Sequence, residues 1–307
     1  MTIRLAAATE DFGSDLKTAI AEAARCEVKG LRLNARTEVR ADEFSETALR
    51  QLKHFVAERQ MTVAGLMFPS RNSLYDPEHL DRRIQSVKAA MPLVRKLGTS
   101  ELLIRCGRIP DPTIAPEESL RADSSGKNGP TNSDVDTLKN PFSFAPTNPA
   151  LRPAEPSEAQ KFTLLCDILN DLVGYSSHVG CTLQLLISSY DTDRIRRLLN
   201  SIQSGPVKLV FDPATAVMTG RSPVRVFRDL YASVGYIRGR DAMADVDGAG
   251  VEVAFGDGKV DWTELLPTIA ETEYDGWFCI ERPGGEQRAE DVRLGFSRVR
   301  ELLHPGL

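Results

Sequence analysis

The chain has 307 residues, of which 41% are hydrophobic and 26% are charged, and its formal net charge is -5. This composition is typical of a folded protein with a sizeable core, and the length suits either two ordinary domains or one α/β barrel. The mild negative charge, without any basic block, argues against nucleic acid or an anionic membrane surface as the main partner.

The chain begins with MTIRLAAATEDF, whose apolar run is too short for a signal-peptide core or a membrane span. We therefore expect this segment to be a strand. The five cysteines are odd in number and scattered, and no CxxC motif occurs. This pattern predicts reduced, mostly buried thiols in a cytoplasmic protein.

Strand and helix patterns alternate along the chain. Short apolar runs are each followed by a segment with helical periodicity, such as the one that places Leu49, Leu52 and Val56 on one face. The predicted strands are Ile3–Ala8, Gly30–Ala35, Thr62–Phe68, Glu101–Gly107, Thr182–Ser188, Val207–Pro213, Gly235–Ala242 and Gly276–Pro283. The predicted helices are Asp15–Cys26, Ser45–Gln60, Pro77–Leu97, Ser157–Gly180, Asp191–Ile202, Ser222–Ser233, Trp262–Glu271 and Ala289–Leu303.

Eight strands that alternate with eight helices predict a parallel sheet covered by helices, because the strands are almost continuously apolar. The count of eight favours closure into a barrel over an open, doubly wound sheet. No GxGxxG motif follows the first strand, which argues against a dinucleotide-binding fold. We predict a (β/α)8 TIM barrel in which residues 1–307 form a single domain.

One connection in this pattern is much longer than the others. The segment Arg108–Pro156 follows the fourth strand and contains nine of the eighteen prolines, together with clusters of Ser, Asn, Asp and Gly. Loops of this length in compact folds are usually functional lids or disordered insertions. Because the segment leaves the ligand-binding edge of the barrel, we expect either a lid over the mouth or a partly disordered segment.

Charged residues stand at the ends of three late strands. Asp212 ends the sixth strand, Arg238, Arg240 and Asp241 follow the core of the seventh, and Glu281 ends the eighth. The carboxyl ends of parallel strands meet at one edge, where ligands bind. Further arginines are expected at or near the same edge: Arg32, Arg36, Arg71, Arg105, Arg108 and Arg282.

Two interpretations of these arginines are open. Arginine holds carboxylate and phosphate groups with two parallel hydrogen bonds, so the group predicts a small anionic, carbohydrate-like ligand. In the alternative, each arginine pairs with a nearby Asp or Glu or faces solvent. We expect at least one of them, such as Arg105, to contact a ligand.

The second half of the chain resembles the sugar phosphate isomerase/epimerase family, the xylose-isomerase-like barrels. The resemblance is carried by DPATAVMTGRSPVRVFRDL, by RGRDAMADVDGAGVEVAFGDGKVDWTELL and by YDGWFCIER. It implies a divalent-metal site at the barrel mouth, held by a Glu, an Asp, a His and a Glu on strands five to eight. It also implies that the two Glu residues pass a substrate proton between them.

This chain keeps only part of the ligand set that the resemblance implies. Asp212 and Glu281 stand at the positions of the strand-six Asp and the strand-eight Glu. Leu186 falls on or beside the position of the strand-five Glu, and Arg238 falls on that of the His. Arg240 and Asp241 match the last two residues of the strand-seven pattern.

The substitutions predict a site without the usual metal. Two carboxylates hold Mg²⁺ only with water or substrate oxygens, and Zn²⁺ or tightly held Mn²⁺ requires more protein ligands. A guanidinium at position 238 would repel a cation and would attract Asp212 and Glu281. We predict these ion pairs and no stoichiometric metal; binding of Mg²⁺, Mn²⁺ or Zn²⁺ by the two carboxylates is the alternative.

Two functional hypotheses follow. In the first, the protein is an isomerase or epimerase of a small sugar, sugar phosphate or sugar acid, with Glu281 and Asp212 catalytic. In the second, it is an inactive barrel that binds an anionic metabolite or a protein partner. Metal content discriminates between them, and the sequence leaves homo-oligomerisation open. The ligand-binding residues expected in either case are Arg238, Arg240, Asp241 and Arg105.

Overall fold

The computed structural model describes residues 3–114, 155–245 and 250–303. The chain divides into a main unit, Met1–Ile109 with Cys166–Leu307, and a second unit, Pro110–Leu165. In the second unit, the backbone N–H of Asp111 donates to Glu158 Oε2 over 3.1 Å. Most of the predicted insertion 108–156 lies outside the described residues, and the candidate site belongs to the main unit.

A closed barrel of eight parallel strands forms the main unit, which confirms the predicted fold. The last strand pairs with the first and closes the ring, with Arg4 opposite Trp277. The barrel strands are β1 (Arg4–Ala8), β2 (Gly30–Asn34), β3 (Thr62–Phe68), β4 (Glu101–Gly107), β5 (Thr182–Ile187), β6 (Val207–Phe211), β7 (Val234–Gly239) and β10 (Trp277–Ile280).

The predicted seventh strand is too long, because the chain leaves the barrel at Gly239. Asp241–Met243 is a separate strand, β8, which pairs antiparallel with β9 (Val251–Val253). Asp241 therefore belongs to a two-stranded sheet above the barrel wall, and Arg240 is the residue at which the chain turns from one sheet into the other.

Helices follow the barrel strands on the outside. Six of them begin at an Asp or Ser whose side chain accepts a hydrogen bond from the first turn, as Ser45 does from the N–H of Ala48, so these caps define where the six helices start. The helices are α1 (Leu16–Ala24), α2 (Glu46–Ala57), α3 (Leu80–Lys96), α4 (Glu158–Val179), α5 (Thr192–Ser201), α6 (Pro213–Met218), α7 (Pro223–Leu230), α8 (Trp262–Glu271) and α9 (Arg288–Leu303).

Two helix predictions need correction. The third helix begins at Leu80 rather than Pro77, and the short helix α6, directly after β6, was not predicted. Pro213 occupies the first position of α6, where its missing N–H costs nothing, and Asp212 is the cap. Among the described residues, no helix combines the length and apolarity needed to cross a membrane.

The barrel interior is filled by a small apolar layer around Tyr236, which is fully buried. Alanines on β1 and β3 leave room for the large ring, since protein interiors are close-packed. The layer contains Ala6, Ala8, Ala64, Met67, Leu103, Val210, Tyr236 and Cys279. As predicted, the cysteines are free thiols, and all except Cys166 are buried.

Candidate functional site

Strand alternation carries the apolar layer directly into a charged one. Val210, Tyr236 and Cys279 point into the barrel, so the residues two positions later, Asp212, Arg238 and Glu281, point inward at the mouth. All three are buried, with exposed fractions of 0%, 8% and 3%. The prediction that these strand ends meet at one edge is confirmed by their contacts.

Arg238 lies between the two carboxylates, as the sequence predicts. Its Nε and Nη2 atoms are 2.7 and 2.6 Å from Glu281 Oε2. Its Nη1 atom is 3.1 Å from Asp212 Oδ2. One guanidinium thus joins the ends of β6 and β10 from the strand between them, and its fixed charge helps to balance two buried acids.

Both oxygens of Asp212 are engaged. Oδ2 also accepts a hydrogen bond from Arg240 Nη1 at 2.6 Å. Oδ1 lies 3.3 Å from the N–H of Thr215 and caps α6. The hydroxyl of Tyr190 accepts from the backbone N–H of Asp212 at 2.6 Å and fixes the main chain there.

The pairing extends outward from Arg240 along the β8–β9 hairpin. Arg240 contacts Glu252 of β9, whose other oxygen lies 3.0 Å from Arg282 Nη1. Arg282 Nε is 2.8 Å from Asp291 at the start of α9. These alternating charges connect the hairpin, the end of β10 and α9 on one side of the mouth.

On the other side of Glu281 lies Arg32 of β2, which is 5% exposed. Arg32 Nε is 3.1 Å from Glu281 Oε1, and its Nη1 is 3.0 Å from Glu10 Oε2. The Nε–Oε1 contact is an ion pair without hydrogen-bond geometry, so neither atom has a hydrogen-bond partner. Glu281 Oε1 is therefore held by charge but keeps its lone pairs unused.

These contacts set the charge state of the site. Burial acts to raise the pKa of Glu281, but Arg238 and Arg32 outweigh it and lower the pKa from 4.5 to about 2. Desolvation opposes the charge of Arg240, yet Asp212 and Glu252 raise its pKa. Glu281 is thus a carboxylate at every physiological pH.

The arrangement does not fit the divalent metal that the resemblance implies. Guanidinium groups contact Asp212 Oδ2 and both carboxylate oxygens of Glu281. Their positive charges would repel a cation placed between the two acids. Leu186, at the strand-five position, packs against the apolar layer instead of offering an oxygen. Across the described ranges, no three His, Cys, Asp or Glu side chains are grouped to hold a metal ion.

Asp241 has a structural role that corrects its interpretation as a ligand-binding residue. It is fully buried, and its Oδ1 accepts from the N–H groups of Ala242 at 2.8 Å and Val260 at 3.1 Å. Its Oδ2 accepts from Gly256 N–H at 3.0 Å and from Trp262 Nε1 at 2.8 Å. With four donors on two oxygens, the carboxylate holds the hairpin to the start of α8.

Arg105 of β4 is exposed, unlike the arginines around Asp212 and Glu281. Its Nη1 lies 3.5 Å from the carbonyl oxygen of Ser70, in the loop after β3. No carboxylate contacts it among the described residues. Its expected role in ligand binding stays a prediction.

A cavity of about 780 Å³ is lined by Glu10, which pairs with Arg32, and by Asp11, which accepts a hydrogen bond from the backbone N–H of Arg282. Its walls are the turn after β1, the loop after β2, the loop before α9 and the first turns of α9. Burial raises the pKa of two of its carboxyl groups, Asp11 and Glu38. The residues that line it include Glu10, Asp11, Gly13, Thr37, Glu38, Glu286, Arg288 and Arg293.

Several residues of the site were not predicted from the sequence. Glu10 lies two residues after the end of β1 and was detectable by the same strand-end argument that identified Asp212. Glu252 was not, because its strand is three residues long and the hairpin depends on contacts distant in sequence. The residues missed are Glu10, Asp11, Glu38, Tyr190, Glu252, Arg288 and Asp291.

Comparison with known proteins agrees with this fold. The family model of the xylose isomerase-like TIM barrel matches residues 165–302. The chain is similar to an inosose dehydratase of Clostridium botulinum, at 24% identity over 121 residues that cover 35% of this chain and 39% of the relative. The chain thus spans less than half the length of that curated relative.

Solved structures match over nearly the whole chain. A xylose isomerase domain protein from Planctomyces limnophilus superposes with a TM-score of 0.74 and 16% identity, covering 98% of each chain. A sugar phosphate isomerase/epimerase from Parabacteroides distasonis gives a TM-score of 0.62 and 12% identity, covering 99% of this chain and 96% of the other. At such identities these similarities show the fold alone.

Proposed function

The chain is a xylose isomerase-like TIM barrel, and we propose that it binds a small sugar, sugar phosphate or sugar acid at the C-terminal barrel mouth without a divalent metal. The observation that carries the proposal is the position of Arg238 between Asp212 and Glu281. A buried guanidinium there supplies the positive charge that a metal would bring. The related fold of sugar-modifying enzymes supports the carbohydrate class of the ligand.

The arrangement favours binding over proton transfer. A carboxylate with a pKa of about 2 is a weak base for a carbon-bound proton, because an efficient general base has a pKa near the working pH. Its partner acid on strand five is absent, since Leu186 and Ser188, which face the interior there by strand alternation, carry no carboxylate. A barrel that binds a carbohydrate without catalysing its conversion therefore fits the described residues best.

Metal content tests the proposal directly. Protein purified without chelator is expected to contain no stoichiometric Mg²⁺, Mn²⁺ or Zn²⁺ by elemental analysis, and its melting temperature should not rise when these ions are added. A thermal-shift screen of sugars, sugar phosphates and sugar acids should find a stabilising ligand in the presence of EDTA. One tightly bound metal per chain would refute the proposal.

One observation favours a second candidate, a metal-independent isomerase or epimerase. Glu281 Oε1 is ionised and has no hydrogen-bond partner, so it is the one carboxylate oxygen of this pair left to accept a substrate proton. Arg238 or Arg32 would then stabilise the enediolate that forms. Incubation of candidate sugars with the protein in D₂O should give deuterium at the exchanging carbon, and Glu281→Gln should abolish it. Ligand binding without exchange would exclude this candidate.

A further inference from the structure

We propose that Arg36, Arg71 and Arg105, here called the arginine rim, bind the phosphate or carboxylate group of the ligand. The inference takes the carbohydrate from the proposed function and adds the anionic group and its place. It rests on the contacts of Arg36 and Arg105 with neighbouring backbone carbonyl groups, and on the position of the exposed Arg71 in the same loop.

The arginine rim surrounds one short loop. Arg36 Nη1 donates to the carbonyl oxygen of Pro69 at 3.1 Å, and Arg105 Nη1 is 3.5 Å from that of Ser70. Arg71 is the next residue of the same loop, and all three side chains are exposed. Consecutive Cα atoms are about 3.8 Å apart, so the two guanidinium groups are anchored to neighbouring points of the backbone.

The other arginines at the barrel mouth differ from the arginine rim in their contacts with carboxylates. Arg32, Arg238, Arg240 and Arg282 each contact at least one carboxylate. None of the rim arginines contacts a carboxylate among the described residues. Three like charges around one loop repel each other, and an anion between them would remove that repulsion.

The rim guanidinium groups also have donors to offer. A guanidinium has five N–H donors, and Arg36 and Arg105 each direct one nitrogen to a backbone carbonyl. The remaining donors form the planar fork that matches two oxygens of a phosphate or carboxylate. The carbonyl contacts hold two of the side chains near the loop before any ligand arrives.

The cavity lined by Glu10 and Glu38 indicates how the ligand is oriented. Arg36 directly precedes Thr37 and Glu38 of this lining, in which five carboxylates (Glu10, Asp11, Glu38, Glu286 and Glu290) outnumber two arginines (Arg288 and Arg293). Carboxylates accept hydrogen bonds from sugar hydroxyls but repel a phosphate. A sugar acid or sugar phosphate would therefore place its hydroxyls in the cavity and its anionic group on the arginine rim.

Calorimetric titration at fixed ionic strength tests the arginine rim with inorganic phosphate, gluconate, glucose 6-phosphate and neutral glucose as probes. We expect Arg36→Gln, Arg71→Gln and Arg105→Gln each to weaken phosphate binding about tenfold, since each removes charge-assisted hydrogen bonds. The triple variant should lose saturable phosphate binding. Glucose affinity should change little in any of them.

Arg197→Gln is the matched control, because Arg197 is an exposed arginine of α5 that contacts no carboxylate in the described part of the chain. Unchanged phosphate affinity in the triple variant, an equal loss in Arg197→Gln, or no saturable phosphate binding by the unaltered protein would overturn the inference. These results are separable from the metal test: a bound metal refutes the proposed function and leaves the phosphate titration intact. Glucose binding without any phosphate site refutes only the arginine rim.

Discussion

At the scale of single residues, Arg238 divides its donors between carboxylates that come from different strands. Its replacement by alanine would leave Asp212 with Arg240, which also pairs with Glu252. Glu281 would be left with Arg32, which also pairs with Glu10, so the buried acids would lack one positive charge. Breaking a buried ion pair by removing one partner costs about 3–5 kcal/mol. We expect Arg238→Ala to lower the free energy of unfolding by that amount in urea denaturation.

The control for Arg238→Ala is Arg197→Ala, which removes an exposed guanidinium and should change the free energy of unfolding by less than about 0.5 kcal/mol. Arg238→Lys should lie between the two, because an ammonium keeps the charge but cannot contact both acids with a planar fork. Equal stability of Arg238→Ala and the unaltered protein would mean that the ion pairs are not formed in solution.

The lowered pKa of Glu281 predicts how the free energy of unfolding depends on pH. Its pKa in the folded protein is lowered from 4.5 to about 2, so it stabilises the fold above its unfolded pKa and loses that contribution as the pH falls through the folded value. The free energy of unfolding should therefore fall between about pH 4.5 and pH 2 by roughly 3 kcal/mol from this group. Urea denaturation across this range measures it.

Comparison with Glu281→Gln isolates this contribution, because Asp11 and Glu38 act in the opposite direction. Their pKa values are raised by burial, so their protonation favours the folded state as the pH falls. The difference in unfolding free energy between the two proteins should shrink below about pH 4.5. A constant difference down to pH 2 would contradict the lowered pKa.

Most of the central site was predictable at this scale, for a physical reason. Strand alternation and the parallel sheet place Asp212, Arg238 and Glu281 together once the strands are recognised. Asp241 was misread because its place depends on where β7 ends, and a run of polar residues after Ile237 does not show that the chain leaves the barrel at Gly239. The partners of Arg240 lie in a hairpin formed by distant contacts.

At the scale of elements, the β8–β9 hairpin carries the outer part of the charge network, and Asp241 holds it in place. Asp241→Asn would replace one acceptor oxygen by a donor amide, so the two N–H groups on that oxygen would lose their partner. We expect a loss of about 2–4 kcal/mol in unfolding free energy, because buried donors are left unsatisfied. Affinity for the anionic probes should be kept, since the arginine rim is on other loops.

Gly258 provides an independent test of how tightly the Asp241 carboxylate is packed against the hairpin that it holds. A Cβ atom at this position would lie 2.0 Å from Asp241 Oδ1 and 2.6 Å from the carbonyl oxygen of Ala242. Gly258→Ala must therefore displace the carboxylate or the β8 backbone, and its melting temperature should fall as that of Asp241→Asn does. Gly220→Ala is a useful comparison, because no atom lies within 4 Å of a Cβ there, although its positive φ carries a backbone cost. A Gly258→Ala variant as stable as the unaltered protein would show that Asp241 and Ala242 are not closely packed against position 258.

At the scale of the whole molecule, the barrel register shows where a metal ligand on strand five would have to stand. Leu186 pairs with Val210, so the same register brings Ser188 level with Asp212, one layer above Leu186. Both residues face the interior by strand alternation. The sequence resemblance assigned the missing Glu to Leu186 or its neighbourhood, whereas the closed barrel selects position 188.

This register predicts how to restore a metal site. The double variant Ser188→Glu with Arg238→His would add a third carboxylate and an imidazole to Asp212 and Glu281, and it would remove the central guanidinium. Three carboxylates and one imidazole at one level are a set of ligands suited to Mn²⁺ or Zn²⁺. We expect Mn²⁺ to raise the melting temperature of this double variant and not that of the unaltered protein, because a ligand bound only to the folded state stabilises it.

The matched control is Leu186→Glu with Arg238→His, whose new carboxylate lies in the apolar layer and should give no Mn²⁺-dependent shift. A shift in that control alone would place the metal level with Val210 and refute the register argument, and a shift in the unaltered protein would show that Arg238 does not exclude a cation.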